Sequence, residues 1–181
     1  MNSRAEAEQL LEKWITSENL RLHCRMVATA MEAYANELNK PEVEIEKWWQ
    51  AGLLHDLDWE AYPDEHPNKA INEILPANDV DKEVIQAVRS HAPERTGAEP
   101  EAEIDRYLFA CDEISGFMHA VSLMRPNGFE DMKPKSVKKK LKDSHFAANV
   151  PRDEIYKGAE LIDKDLSDHI NFMIEVFKKM G

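Results

Sequence analysis

Trp48-Trp49-Gln50-Ala51-Gly52-Leu53-Leu54-His55-Asp56 is the stretch on which the reading of this chain turns. Seven residues of apolar helical character run out onto an imidazole and a carboxylate, side by side. Burying both groups where a helix ends, with no partner, costs a few kcal/mol for each. A divalent cation removes that penalty, because neutral imidazole and ionised carboxylate are both good ligands for one. A lone His-Asp pair arises easily by chance in 181 residues, so its weight rests on possible partners: His23 upstream, then His66, His91 and Asp112 downstream.

Around this run nearly everything reads as helix, with few β-branched alternations that would suggest strands. Ser3 can cap a first helix over about 3–15, with Leu10, Leu11, Trp14 and Ile15 on one side. Ser17 or Asn19 can open a second, to about 38, on the stripe Leu22, Met26, Ala30, Met31, Tyr34 and Leu38. Pro41 breaks the chain and helps begin the third, over about 42–55. A polar segment punctuated by Pro63 and Pro67 follows over 58–67, then short helices over about 68–75 and 79–91. A loop over 92–99 holds Pro93 and Gly97, and a long helix spans roughly 101–124. Arg125-Pro126-Asn127-Gly128 is a stop, Ser136 is expected to open a short lysine-rich helix, and Pro151 a last long helix to about 180. No repeat or composition shift marks a boundary. The expectation is a single all-α domain over 1–181, a helical bundle.

Composition narrows the function classes. The chain is 43% hydrophobic and 32% charged, ordinary for a globular protein, and no apolar run approaches the roughly 20 residues of a membrane span. The first residues, Met1-Asn2-Ser3-Arg4-Ala5-Glu6, lack an apolar signal core, which makes the cytoplasm the expected compartment. Two cysteines, Cys24 and Cys111, make no disulfide framework or zinc ribbon and are expected as small buried helix residues. A net charge of −12 argues against nucleic acid or an anionic membrane as a partner of the whole surface. Residues 133–142 run against that balance with six lysines and no acid. They form either a solvated helix face or a surface that attracts an anionic substrate.

His23, the pair His55-Asp56, His91 and Asp112 fall on four different helices and have apolar neighbours, including Leu22, Leu53, Leu54, Val88, Leu108, Phe109 and Ile114. Helices that converge in a bundle core are one way to build a metal site from such a set. The order His … His-Asp … Asp, read at His23, His55-Asp56 and Asp112, resembles the HD superfamily of metal-dependent phosphohydrolases. The resemblance covers about 20–125. The strings from Leu53 to Glu60, Pro63 to Pro67, Asp112 to Phe117 and Leu123 to Pro126 resemble a subgroup of uncharacterised predicted HD hydrolases.

The resemblance implies that His23, His55, Asp56 and Asp112 hold one ion. Members with two ions place two more histidines between the His-Asp pair and the last Asp, and His66 and His91 stand in that interval. Asp56 would then bridge both ions. His66, ten residues past Asp56 and between prolines, reads either as a second-ion ligand or substrate contact, or as a loop histidine. The ion would be one of Mn, Fe, Co, Ni or Zn, since His-rich N/O sites accept them all. Asp58 and Glu60 could orient imidazoles or be solvated. Arg95 and Arg125 are the candidates for a bidentate grip on phosphate, with Lys69 beside them. His119 is expected among helices, and His145 and His169 at the surface.

The implied activity is hydrolysis of a small phosphorylated molecule or nucleotide, with Asp56, His66 and Arg125 at the chemistry. Two alternatives stand beside it: a di-iron oxygenase on the same scaffold, of the myo-inositol oxygenase kind, and a module that binds nucleotide without turnover.

Overall fold

The computed structural model describes residues 3–180. All regular structure among them is helical and no strand occurs, as the all-α expectation requires. The chain gathers into two compact units, Met1–Phe109 and Ala110–Gly181.

In the first unit, α1 (Arg4–Trp14) starts where Ser3 Oγ accepts the Glu6 amide at 3.2 Å. Ser17 does the same for the Leu20 amide at 3.4 Å and opens α2 (Glu18–Glu37). Pro41 precedes α3 (Glu42–Leu54). The turn between α2 and α3 is short, so α3 runs back along α2 and its last turns meet the first turns of α2. Gly52 makes that approach possible. A Cβ at Gly52 would lie 2.6 Å from both the amide nitrogen and the Cα of Ala28, which no other residue type permits. His23 lies five residues before Ala28 and His55 three after Gly52, so this crossing draws two sequence-distant imidazoles to one place.

The core beside it is built from Cys24, Val27, Met31 and Tyr34 of α2 with Trp48, Ala51, Leu53 and Leu54 of α3, all buried. Trp48 and Trp49 pack as expected: Trp48 lies 5.1 Å from the Tyr107 ring, and the Arg4 guanidinium sits 4.6 Å over Trp49.

Residues 58–67 form successive turns, and the His66–Pro67 peptide bond is cis. The helix expected over 68–75 is present but wound wider, as a π-helical turn (Ala70–Ile74) leading into α4 (Leu75–Ala77). Pro76, two residues past it and inside α4, has no amide proton for the preceding turn. α5 (Lys82–Ser90) begins on Asp81, whose carboxylate accepts the Glu83 amide at 2.8 Å, and ends at His91. One short helix, α6 (Pro93–Thr96), lies in the expected loop and stops at Gly97, with φ of 72°. The long helix is α7 (Glu103–Leu123).

The second unit holds the later part of α7, then α8 (Pro134–Leu141), α9 (Arg152–Leu161) and α10 (Leu166–Phe177) with a 3-10 turn at Lys178–Met180. Three expectations need correction here. α8 is opened by Pro134 in its first turn, a position where the missing amide costs nothing, and not by Ser136. The single helix expected over 151–180 is two helices: Asp163 turns left-handed at φ 53°, and Asp165 caps α10 by accepting the Ser167 amide at 2.7 Å.

The third concerns His169, which is fully buried instead of at the surface. Three residues past Leu166 and four before Met173, it lies on the apolar stripe of α10. Its Nε2–H donates to the Ala110 carbonyl at 2.9 Å, and burial pulls its pKa down to about 4. Gly158 of α9 presses on the same stretch of α7, for a Cβ there would meet the Ala110 Cα at 2.8 Å. His145 is exposed, as expected.

Neither cysteine is in a disulfide and both are buried; burial, with the negative Asp112 beside it, pushes the Cys111 thiol far above its ordinary range. Among the described residues no helix is long and apolar enough to cross a membrane.

Candidate metal centre

Two of the helices in the first unit end on a histidine, and both histidines use the same local device. The last carbonyls of a helix have no intrahelical donor. His55, just past α3, turns its Nδ1 onto the Gly52 carbonyl at 2.8 Å; His91, just past α5, turns its Nδ1 onto the Val88 carbonyl at 2.6 Å. A carbonyl can only accept, so Nδ1 carries the proton in each ring and Nε2 presents a lone pair. The histidines thereby satisfy orphan carbonyls and aim their second nitrogens away from the helix end.

His66 reaches the same state by another route. Its Nδ1 lies 2.7 Å from Asp58 Oδ1. Asp58 is fully buried, and its other oxygen accepts the Ala70 amide at 2.7 Å, so the carboxylate is held at both ends. A carboxylate behind an imidazole fixes the tautomer and raises the basicity of the far nitrogen. Of the two roles open to Asp58, the structure shows the orienting one. Glu60 has the other kind: it accepts the backbone amides of Thr16 and Ser17, each at 2.9 Å, at the start of α2.

The nitrogens aimed inward meet in pairs. His23 Nε2 and His55 Nε2 stand 3.2 Å apart; so do His66 Nε2 and His91 Nε2. Asp56 lies between the pairs. Its Oδ2 is 3.6 Å from His23 Nε2 and 3.4 Å from His55 Nε2, while its Oδ1 is 3.5 Å from His66 Nε2 and 4.0 Å from His91 Nε2. One carboxylate thus turns one oxygen to each histidine pair. Asp56, His66 and His91 form a trio able to hold a metal ion, with ligand atoms all within 4.8 Å of one another.

The donor chemistry fits a cation. His66 and His91 both spend their Nδ1 protons elsewhere, so two lone pairs confront each other across 3.2 Å in a buried place. That contact is repulsive unless something positive lies between. The separation suits an ion: two ligands each about 2.1 Å from one centre and roughly 100° apart stand about 3.2 Å from each other.

The loop that carries His66 is pinned from outside. Trp59, partly exposed, sets its ring edge-to-face with His66 at 4.9 Å, and the Arg95 guanidinium lies 5.2 Å over Trp59. Arg95 Nη1 donates to the Pro63 carbonyl at 2.8 Å and the His66 carbonyl at 3.2 Å. Arg95 is therefore a clamp on 58–67, a role its sequence context does not signal, and Trp59 was equally silent. Lys69 pairs with Glu73 at 2.6 Å and lies over Tyr62. Asp112 stands on α7 one turn beyond Phe109, in the second unit, as does His119. Arg125, also in that unit, is held by Asp131 at 3.0 Å.

The HD domain model matches residues 21–116, more than half of the chain, from just before His23 to just beyond Asp112. The chain belongs to the HD domain family. No curated protein and no solved structure matches it. HD domains are typically metal-dependent phosphohydrolases, and the His/Asp cluster supplies the ligand types such a domain needs.

Proposed function

We propose that this HD domain hydrolyses the phosphoester or phosphoanhydride bond of a small phosphorylated molecule, a nucleotide among the candidates. The observation that carries the reading is the pair of imidazole couples divided by Asp56, each nitrogen aimed inward by its own hydrogen bond. His23, His55 and Asp56 would hold one divalent transition ion (Mn, Fe, Co, Ni or Zn), and Asp56, His66 and His91 a second. Asp112, the acid that closes the family motif, is proposed as the remaining ligand of the first. Ions held there would lower the pKa of a water toward neutrality and neutralise the phosphate as charge builds on it.

The chain's own residues do the rest. Asp56, through whichever carboxylate lone pairs remain, would accept a hydrogen bond from the attacking water and so align its oxygen with the phosphorus. Asp58 keeps the proton on His66 Nδ1, which turns the Nε2 lone pair toward the centre. The burial of His55, His66 and Asp58 keeps bulk water from competing for those donors. Arg125 is proposed as the phosphate contact, exchanging the Asp131 carboxylate for the substrate's anion.

A second reading, a di-iron oxygenase, is favoured by one feature: four imidazoles around one bridging carboxylate also suit paired iron. The experiment that separates the readings is metal analysis of the purified chain, then a screen of phosphorylated substrates with that ion restored. Metal-dependent phosphate release that Asp56→Ala abolishes, with the helical circular dichroism intact, supports hydrolysis. Oxygen consumption with iron alone supports the oxygenase, and nucleotide binding without turnover supports neither. Phosphatase activity that survives Asp56→Ala would remove this centre from the reaction.

A further inference from the structure

α8 carries the lysine-rich run, and its geometry sorts those lysines. Val137 and Leu141 are buried, which fixes the rotation of the helix. At 3.6 residues per turn, Lys135, Lys138, Lys139 and Lys142 then fall within an arc of about 100° on the outer side. They ring a depression of about 440 Å³ whose remaining wall is Ser167 of α10. Lys138 Nζ donates to Ser167 Oγ at 2.8 Å, and the first turn of α10 brings the positive end of a twelve-residue helix to the same place.

These four ammonium groups are spaced as i,i+3 and i,i+4 neighbours, a spacing at which like charges destabilise a helix. Among the described residues no carboxylate comes within ion-pair distance of any of them. Elsewhere the lysines find acids: Lys47 with Glu83 at 2.7 Å, Lys69 with Glu73 at 2.6 Å, Lys178 with Glu175 at 2.6 Å. Even Lys140, on another side of α8, pairs with Asp143 at 3.5 Å. Asp165, which caps α10, accepts the Ser167 amide, and that bond, with the Lys138 ammonium nearby, holds its carboxylate below its ordinary range; it is the one acid near this face. In a chain with 35 acids and a net charge of −12, four lysines gathered on one short helix, only Lys138 of them with an acid near it, call for a counter-charge from outside.

We infer that this face binds a small anion carrying a chain of linked phosphates. The four lysines span about 10 Å along α8, the reach of one such molecule and short for an extended nucleic-acid backbone. The lining is lysine and serine alone, with neither an arginine fork nor an aromatic ring, so it senses charge density and reads no base. The ligand is a free polyphosphate or the triphosphate tail of a nucleotide, and the site is independent of the histidine centre.

Calorimetric titration of the full chain with sodium tripolyphosphate tests this, beside the Lys135→Gln/Lys138→Gln/Lys139→Gln/Lys142→Gln variant. We expect one ion per chain for the wild type, weakening as salt rises, and at least tenfold weaker binding for the variant. The double variant Lys138→Gln/Lys142→Gln should fall between. Tripolyphosphate should raise the melting temperature of the wild type and leave that of the quadruple variant unmoved. ATP bound as tightly as tripolyphosphate, or somewhat less, supports a site that takes the chain of phosphates alone; ATP bound more tightly would mean that a base is read and overturns it. No binding by the wild type overturns it, as does undiminished binding by the lysine variants. Binding lost in Asp56→Ala instead, or tighter binding of a single-stranded oligonucleotide, also overturns it.

Discussion

His66 and His169 are both buried imidazoles, and their surroundings ask for opposite things. His169, in the second unit, donates Nε2–H to the Ala110 carbonyl, and burial holds the ring neutral. His66, in the first unit, gives its Nδ1 proton to Asp58 and turns a bare Nε2 toward another bare Nε2 on His91. The first histidine already has what it needs from the protein. The second, with its partner, turns two lone pairs toward one point, an arrangement that suits a cation. Burial alone therefore does not mark a functional histidine; the direction of its unused lone pair does.

That contrast can be broken or sharpened by substitution. The largest effect belongs to Asp56→Ala, which removes the carboxylate shared by both histidine pairs. Metal-dependent turnover should drop to background and bound metal should fall, while His169→Gln should leave both unchanged, as activity assays and elemental analysis would read. Gly52→Ala acts on the scaffold of the same centre, because the added Cβ would drive α3 off the backbone of Ala28. A loss of about 3 kcal/mol in denaturant unfolding is expected, together with weaker metal binding.

Asp58→Asn keeps the size of the side chain but no longer secures the His66 tautomer. Metal affinity should fall about 10- to 100-fold with little change in fold. The smallest effect belongs to His169 and appears only with pH. Its folded pKa, about 4, lies below the unfolded value of about 6.5, so the unfolded chain binds the extra proton. The stability it contributes is complete above pH 6.5 and drains away as pH falls toward 4, by about 2 kcal/mol between pH 7 and pH 5. Comparing unfolding curves of wild type and His169→Gln across that window would isolate this slope. Parallel curves would contradict it.

The sequence makes the first unit more legible than the second, for local reasons. Ser3, Ser17 and Pro41 start α1, α2 and α3 through chemistry confined to one turn, so their bounds could be anticipated. His55 and His91 stand where apolar periodicity stops, which is where the structure puts them. His66 was open on sequence because its role depends on turns 58–67 and on Asp58, which no periodicity describes. In the second unit the break between α9 and α10 depends on Asp163 entering the left-handed region, and Asp tolerates both that and a helix. His169 is misplaced by the sequence because a helix running unbroken from Pro151 hides the stripe His169, Ile170, Met173 that α10 buries. Arg95 as a clamp was invisible, since its partners are backbone carbonyls of Pro63 and His66, far along the chain.

The lone pairs around Asp56 face each other in an arrangement that a metal ion would satisfy. The most direct measurement is the metal content of the chain after exhaustive dialysis against each divalent ion in turn, wild type beside Asp56→Ala. The account predicts one or two tightly held ions per wild-type chain and their loss from the variant. A wild type that retains none, with His66 and His91 shown by nitrogen NMR to share a proton instead, would contradict it.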